Sequence, residues 1–133
     1  MKNKLSKKNI ERYSRQIILK NVGPLGQLKI INSRILVVGA GGLGCPIIDY
    51  LGRAGVKNLG VIDHDKVSLS NLHRQNIYDL SDLGKYKVDV VKRKIKKINR
   101  SLNLKIYKKR INQKNANNII KNFDIIFDGS DNF

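Results

Sequence analysis

The order of hydrophobic and polar positions predicts strands and helices that alternate along the whole chain. Short apolar runs predict strands at residues 34–38, 58–63, 104–107 and 123–127, the last of them buried. Apolar residues at helical spacing predict helices at residues 10–20, 26–32, 45–54, 85–99 and 115–122. Strands that alternate with helices favour a parallel sheet with right-handed crossovers, so we expect an α/β, Rossmann-like, doubly wound fold.

The pattern divides the chain into an N-terminal helical segment, residues 1–33, and a Rossmann-like nucleotide-binding domain, residues 34–133. Residues 64–84 are polar and aperiodic, which predicts a long loop with at most short helical turns. A doubly wound sheet normally continues after a strand such as 123–127. We therefore expect the 133 residues to be an N-terminal fragment, truncated before the second half of the fold.

A glycine-rich loop, Gly39-x-Gly41-x-x-Gly44, lies between the first predicted strand and the next helix. Glycines there allow a tight turn and let backbone N–H groups approach a phosphate at the helix N-terminus. Asp63 follows Gly44 by 19 residues at the end of the next strand, where a carboxylate binds ribose hydroxyls. The pattern predicts a nucleotide site and leaves open whether the nucleotide is NAD or ATP.

Polar residues beyond Asp63 favour ATP. The loop from Asp65 to Gln75 is crowded with polar groups, and Lys87 opens the next helix. Attack on the α-phosphate of ATP requires cations that neutralise the triphosphate and the departing pyrophosphate, whereas hydride transfer does not. Asp131 lies just past the last strand, where such sheets bind ligands, so it is a candidate magnesium ligand.

Five motifs in this order carry a resemblance to a known family. They are Arg12-Tyr13-Ser14-Arg15-Gln16, the 39–44 loop, Ser68-Leu69-Ser70-Asn71-Leu72-His73-Arg74-Gln75, Lys87 and Ser130-Asp131-Asn132. Together they resemble the ThiF/MoeB family, the bacterial relatives of the ubiquitin-activating enzymes. The resemblance implies an ATP-dependent adenylyltransferase that activates the C-terminal glycine of a ubiquitin-like sulfur-carrier protein as an acyl-adenylate, for molybdopterin or thiamine biosynthesis.

The resemblance also implies roles for individual residues. Gly42 and neighbouring N–H groups would hold the phosphates, Asp63 would hold the ribose, and Asp131 would bind magnesium. The residues implied to bind the nucleotide are Gly39, Gly41, Gly42, Gly44, Asp63, Ser70, Asn71, Leu72, His73, Arg74, Lys87, Asp131 and Asn132. The residues implied to be catalytic are Arg15, Arg74, Lys87 and Asp131. Arg15 would act across a homodimer, in the partner subunit's site.

The family resemblance adds expectations about metals and partners. ATP and magnesium are the expected cofactors, and the sulfur carrier is the expected partner. Many family members bind zinc through Cys-x-x-Cys pairs in their C-terminal part, and this chain has a single cysteine, Cys45. We expect Cys45 to be a packing residue, and zinc to be bound outside this chain. The isolated His64 and His73 are not expected to be ligands.

Charge gives a competing interpretation, because the formal net charge is +17. Residues 85–122 carry +13, whereas residues 34–84, which contain most of the predicted nucleotide site, are neutral. A basic nucleic-acid-binding module or an inactive fragment is therefore one alternative, and an NAD-dependent oxidoreductase is another. Few aromatic residues lie among the cations, so nucleic-acid binding is disfavoured. No apolar stretch predicts a signal peptide or a membrane span, so we expect a cytoplasmic protein.

Overall fold

A computed structural model describes residues 1–131 of the chain. It contains a parallel four-stranded sheet in the order β3-β2-β1-β4. The strands are β1 (Arg34–Val38), β2 (Asn58–Ile62), β3 (Asn103–Tyr107) and β4 (Ile125–Asp128). This architecture confirms the predicted α/β class and parallel sheet.

Helices precede the sheet and connect its strands. They are α1 (Lys7–Arg12), α2 (Ser14–Ile17), α3 (Gly23–Asn32), α4 (Gly44–Ala54), α5 (Lys87–Ile98) and α6 (Ala116–Ile120). Residues 64–84 form the predicted long loop, with short 3₁₀ turns at Leu69–Asn71 and Leu80–Asp82. No helix in residues 1–131 is long and apolar enough to cross a membrane.

The prediction of one helix over residues 10–20 is wrong, because the chain breaks at Tyr13 into α1 and α2. The Tyr13 ring turns into the domain, where it is 3% exposed and packs against Gly55. The Asn99 side-chain amide donates a hydrogen bond of 2.9 Å to the Tyr13 hydroxyl. Burial of this one ring therefore sets the helix boundary, and it outweighs the local preference for a continuous helix.

The main hydrophobic core lies between one face of the sheet and helices α4 and α5. It joins the alternate strand residues Val37 and Val61 to Ile48 of α4 and to Val91 and Ile95 of α5, each at most 1% exposed. Strand residues that alternate in direction place these side chains on the same face. This core thus fixes α4, which follows the glycine-rich loop, and α5, which begins at Lys87.

The opposite face of the sheet has a much smaller core. It consists of Leu36, Val38, Ile62 and Ile119, with α6 as its covering helix. The prediction that residues 123–127 form a buried strand is wrong, since Ile125, Ile126 and Phe127 of β4 are 47%, 39% and 37% exposed. In the described part of the chain, β4 pairs only with β1 and forms one edge of the sheet.

Candidate nucleotide site

A cavity of about 610 Å³ opens at the carboxyl ends of β1, β2 and β4. This volume is typical of small-molecule sites, and the edge of a parallel sheet where its strands end is the usual place for one. The cavity is bordered by seven residues that the sequence predicts for nucleotide binding, namely Gly39, Gly41, Asp63, Asn71, Arg74, Lys87 and Asp131. The fold therefore brings together motifs that are far apart along the chain.

The glycine-rich loop passes from β1 into α4, and the N–H groups of Gly39 and Ala40 at its start donate to Ile62 and Asp63. Gly39 has φ +92°, and a Cβ atom there would lie 3.0 Å from the Gly129 carbonyl oxygen. A Cβ atom on Gly44 would overlap the Gly39 carbonyl, so glycine is required at both positions. Within residues 1–131, the N–H groups of Gly41 and Gly42 donate to no acceptor. With the N-terminus of α4 behind them, these donors form a cradle for an anion.

Asp63 is fixed beside this loop by two backbone donors. Its Oδ2 accepts a hydrogen bond of 2.8 Å from the N–H of Ala40, and its Oδ1 accepts one of 2.7 Å from the N–H of Asp65. A carboxylate has about four acceptor positions, so two remain for other donors. Asp63 is thus held beside the glycine-rich loop with acceptor positions open to the donors of a ligand.

Two of the four cations that border the cavity, Arg74 and Lys87, are ones that the sequence predicts. The Arg74 side chain lies against Gly42, with its Cδ 3.5 Å from where a Cβ would be, and its Nη1 donates to the Ser70 carbonyl at 3.0 Å. Lys87, at the start of α5, is only 5% exposed, and the nearest carboxylate oxygen of its ion pair, Asp65 Oδ2, is 3.9 Å away. Burial of an ammonium group with such a distant counter-ion is costly unless an anionic ligand approaches it.

Two other residues of the 68–75 motif, Ser70 and Asn71, make hydrogen bonds within their own loop. Asn71 Oδ1 accepts a hydrogen bond of 2.9 Å from the Ser68 N–H, which caps the first 3₁₀ turn. Among the predicted binding residues, Ser70, Leu72 and His73 do not border the cavity. The Ser70 hydroxyl lies 3.2 Å from the Ser68 hydroxyl, Leu72 packs against the main core, and His73 is exposed.

The remaining predicted residues lie at the borders of the site or outside it. Asp131 is exposed at the cavity, in the turn that follows β4. Asn132 lies outside the described residues. Arg15 is exposed on α2 and does not border this cavity. Gly42 and Gly44 do not border the cavity: Gly42 lies against the Arg74 side chain, and Gly44 begins α4 and packs on Gly39.

Several cavity residues escape sequence reasoning. They are Lys109, Arg110, Ile111, Ile120, Ile126 and Asp128. The cavity is also bordered by His64, which is not expected from the sequence to be a ligand, and by Gln75 of the 68–75 motif. The residues just after β3 could have been found, because they follow the carboxyl end of a parallel strand. The resemblance implies no role for Gln75, which is 2% exposed and whose Oε1 has no hydrogen-bond partner among the described residues.

A second group of possible ligands lies at the end of β2. Oxygen or nitrogen atoms of Asp63, His64 and Asp65 are all within 4.8 Å of one another and could hold a metal ion.

Cys45 is fully buried, and burial raises the pKa of its thiol, with smaller opposing contributions from hydrogen bonds and Lys87. This environment confirms that Cys45 is a packing residue rather than a reactive thiolate.

Sequence comparisons identify similar proteins over almost the whole chain. A probable molybdopterin-synthase adenylyltransferase of Gracilaria tenuistipitata var. liui is 45% identical over 97% of this chain and 36% of its own length. The sulfur carrier protein adenylyltransferase of Thermus thermophilus is 41% identical over 96% of this chain and 47% of its own length. The chain therefore spans less than half the length of these two relatives.

Solved structures share the fold. The structure of TcdA (CsdL) has a TM-score of 0.89 at 23% identity and covers 96% of this chain and 50% of its own. The structure of E. coli MccB with ATP has a TM-score of 0.80 at 28% identity, over 90% of this chain and 37% of its own. The model of the ThiF family matches residues 13–133. The chain belongs to the ThiF family.

Proposed function

We propose that this protein is the nucleotide-binding part of an ATP-dependent adenylyltransferase that activates the C-terminal glycine of a ubiquitin-like sulfur-carrier protein. The observation that carries the proposal is that the glycine-rich loop, with its free N–H groups, and the buried cation Lys87 border the same cavity. The names of the two relatives, a molybdopterin-synthase adenylyltransferase and a sulfur carrier protein adenylyltransferase, support the same reaction.

The proposed reaction is a substitution at the α-phosphorus of ATP. A carboxylate oxygen of the carrier attacks the α-phosphorus, the bond to the β-phosphate oxygen breaks, and pyrophosphate leaves with the electron pair. The N–H groups of Gly41 and Gly42, together with Arg74 and Lys87, neutralise charge that develops on the phosphates. Asp63 holds the ribose, so the α-phosphate is fixed between two anchored ends of the nucleotide.

The oxygen-rich rim of the cavity fits magnesium. Asp131, Asp128 and Asp65 all border the cavity, and carboxylate oxygens are the ligands that magnesium prefers. We propose that Asp131 holds the ion, which when bound would neutralise charge on the phosphates.

The sequence contains one cysteine, so residues 1–133 contain no Cys-x-x-Cys pair for zinc.

Arg15 acts, in this proposal, in the site of a second subunit. Ile18 and Leu19 follow it and are 70% and 55% exposed, and Leu25 on the neighbouring α3 is 75% exposed. An exposed apolar surface of this kind is typical of a protein contact. Residues 1–33 would then form a dimer-contacting segment, and residues 34–133 the ATP-binding domain.

Because ATP is the proposed substrate, we also propose that the protein acts in the cytoplasm.

The two alternative functions find less support. No similar protein described above is a nicotinamide-dependent oxidoreductase. Several cations of the basic stretch 85–122 are engaged within the chain, since Lys94 pairs with Asp82 at 2.6 Å and Lys108 pairs with Asp89 at 2.7 Å. These cations hold loops and strands to α5, and this structural use accounts for part of the charge without a nucleic acid.

The proposal is tested by ATP–pyrophosphate exchange. The protein is incubated with ATP, magnesium, labelled pyrophosphate and a sulfur carrier that ends in glycine, and label should enter ATP only when the carrier is present. Lys87→Gln should abolish exchange, whereas Lys92→Gln, an exposed lysine on the same helix, should not. Binding of NAD without binding of ATP would contradict the proposal.

A further inference from the structure

The carbonyl oxygen of Ala40, in the middle of the glycine-rich loop, is buried and accepts two side-chain hydrogen bonds. The Tyr78 hydroxyl donates to it at 2.6 Å, and the Cys45 thiol donates at 3.3 Å. Ala40 and Cys45 are fully buried and Tyr78 is 5% exposed. Tyr78 belongs to the long polar loop, residues 64–84, so this loop holds the backbone of the glycine-rich loop in place.

This hydrogen bond determines where the next N–H group points. A trans peptide is planar, and its C=O and N–H groups point in opposite directions. No cis peptide occurs in the described part of the chain. Because the Ala40 carbonyl is directed into the core, the N–H of Gly41 is directed the opposite way, and Gly41 borders the cavity. That N–H has no acceptor within residues 1–131, so it is free to bind an anion.

Ala40 is also held from its other side, because its own N–H donates to Asp63 Oδ2 at 2.8 Å. Gly41, by contrast, has no side chain to restrict its backbone, and glycine readily adopts several conformations. If the Ala40–Gly41 peptide rotated, it would present a carbonyl oxygen to the phosphates instead of a donor. The hydrogen bond from Tyr78 opposes this rotation.

The chemistry of Tyr78 suits a permanent donor. Burial raises the pKa of its hydroxyl well above the ordinary value, with further contributions from Cys45 and Asp63. The hydroxyl therefore stays protonated at any pH at which the protein works. A protonated phenol in a buried setting keeps a single strong hydrogen bond to a carbonyl.

We propose that Tyr78 is a positioning residue of the phosphate site, which holds the Ala40–Gly41 peptide so that its N–H binds a phosphoryl oxygen of the nucleotide. The identity of that ligand as ATP rests on the proposed function. The orientation of the peptide does not, since it follows from contacts within the chain. Tyr78 touches no reacting atom and acts through the glycine-rich loop.

The test compares Tyr78→Phe with Tyr50→Phe, whose ring is 71% exposed. ATP and adenosine are titrated separately into the 133-residue chain by calorimetry. Tyr78→Phe should weaken ATP binding about fivefold to tenfold, as expected for loss of one hydrogen bond, and leave adenosine binding unchanged. Tyr50→Phe should change neither affinity. Equal weakening of both ligands, or no weakening of ATP, would overturn the proposal.

A nuclear magnetic resonance measurement separates this inference from the proposed function. In the absence of nucleotide, Tyr78→Phe should shift the Ala40 carbonyl carbon and the Gly41 amide resonances, and unchanged resonances would overturn the positioning role. If the unsubstituted chain binds no ATP, the proposed function fails while this readout still decides the inference. If Tyr78→Phe does not fold, the Gly41 amide resonance of the unsubstituted chain should shift on addition of ATP and not of adenosine, and an amide that does not shift with ATP would overturn the proposal.

Discussion

The two faces of the sheet differ in how they are covered and in what they contribute. One face carries α4 and α5 over a large buried core, and this face positions the glycine-rich loop and Lys87. Among the residues that the structure describes, the other face carries only α6 over a small core and leaves β4 exposed. The cavity lies where the faces meet, so it has one firmly packed wall and one lightly packed wall. We expect the packed face to determine stability and phosphate binding, and the lighter face to contribute modestly to both.

Truncation of a core side chain should give the largest difference between the faces. Ile48→Ala removes a fully buried side chain from the packed face, so it should lower the free energy of unfolding by about 3 kcal/mol. Ile126→Ala removes a side chain that is 39% exposed on β4, and it should cost less than about 1 kcal/mol. Urea unfolding measures both, and similar losses would contradict the comparison.

The two walls of the cavity should also differ in nucleotide binding. Lys87→Ala removes a buried cation of the packed wall, so ATP should bind about 2 kcal/mol more weakly, or roughly thirtyfold. Lys109→Ala removes an exposed cation of the lighter wall, and solvent screening should limit the loss to about threefold. Calorimetric titration with ATP measures both affinities. A larger loss for Lys109→Ala would reverse the assignment of the walls.

Acid should weaken the packed face through Asp82. Burial opposes ionisation of Asp82, but hydrogen bonds from Lys94, the Asp79 N–H and Arg93 prevail and lower the pKa of its carboxyl. A lowered pKa in the folded state stabilises the protein above the ordinary aspartate pKa, and this stability is lost as the pH falls through the lowered value.

The variant Asp82→Asn isolates this acid dependence. At neutral pH it should unfold at lower urea concentration than the unsubstituted protein, and the gap between the two should narrow as the pH falls below about 4. Urea unfolding across this pH range measures the gap. A constant gap would show that Asp82 contributes by packing rather than by charge.

The smallest effect is expected at the edge of the sheet. Arg34 of β1 donates to Asp124, just before β4, at 2.8 Å, and both side chains are about half exposed. Arg34→Gln should lower the unfolding midpoint slightly at low salt and not at 1 M salt, where screening acts over about 3 Å. A loss that persists at 1 M salt would indicate that this pair contributes more than surface electrostatics.

Local patterns predict most of the fold and the centre of the site. The glycine-rich loop and Asp63 are recognisable because one short stretch of chain contains β1, the loop, α4 and β2. The break at Tyr13 is not predictable in this way, because it depends on Asn99, 86 residues away. The exposure of β4 is not predictable either, because an apolar run in the sequence does not indicate which elements cover that strand.

Residues of the candidate site divide in the same manner. Arg74 and Lys87 lie in motifs whose spacing indicates their chemistry, and they border the cavity. Ile126 and Lys109 border it because β4 and the segment after β3 end beside it, which is a property of strand order. Gln75 and Tyr78 lie beside the glycine-rich loop through packing of the long polar loop, and no periodicity marks them.

The pairing of β1 with β4 has a consequence for how the molecule folds. Arg34 and Asp124, which join these strands, are 90 residues apart in the chain, whereas β1 and β2 are joined by a single helix. Closing so long a loop costs more chain entropy, and contacts between distant residues slow folding. We expect β1, α4 and β2 to assemble early and β4 to dock late. The cavity is then completed only in that late step, so refolding kinetics followed by ATP binding should lag behind those followed by helix formation.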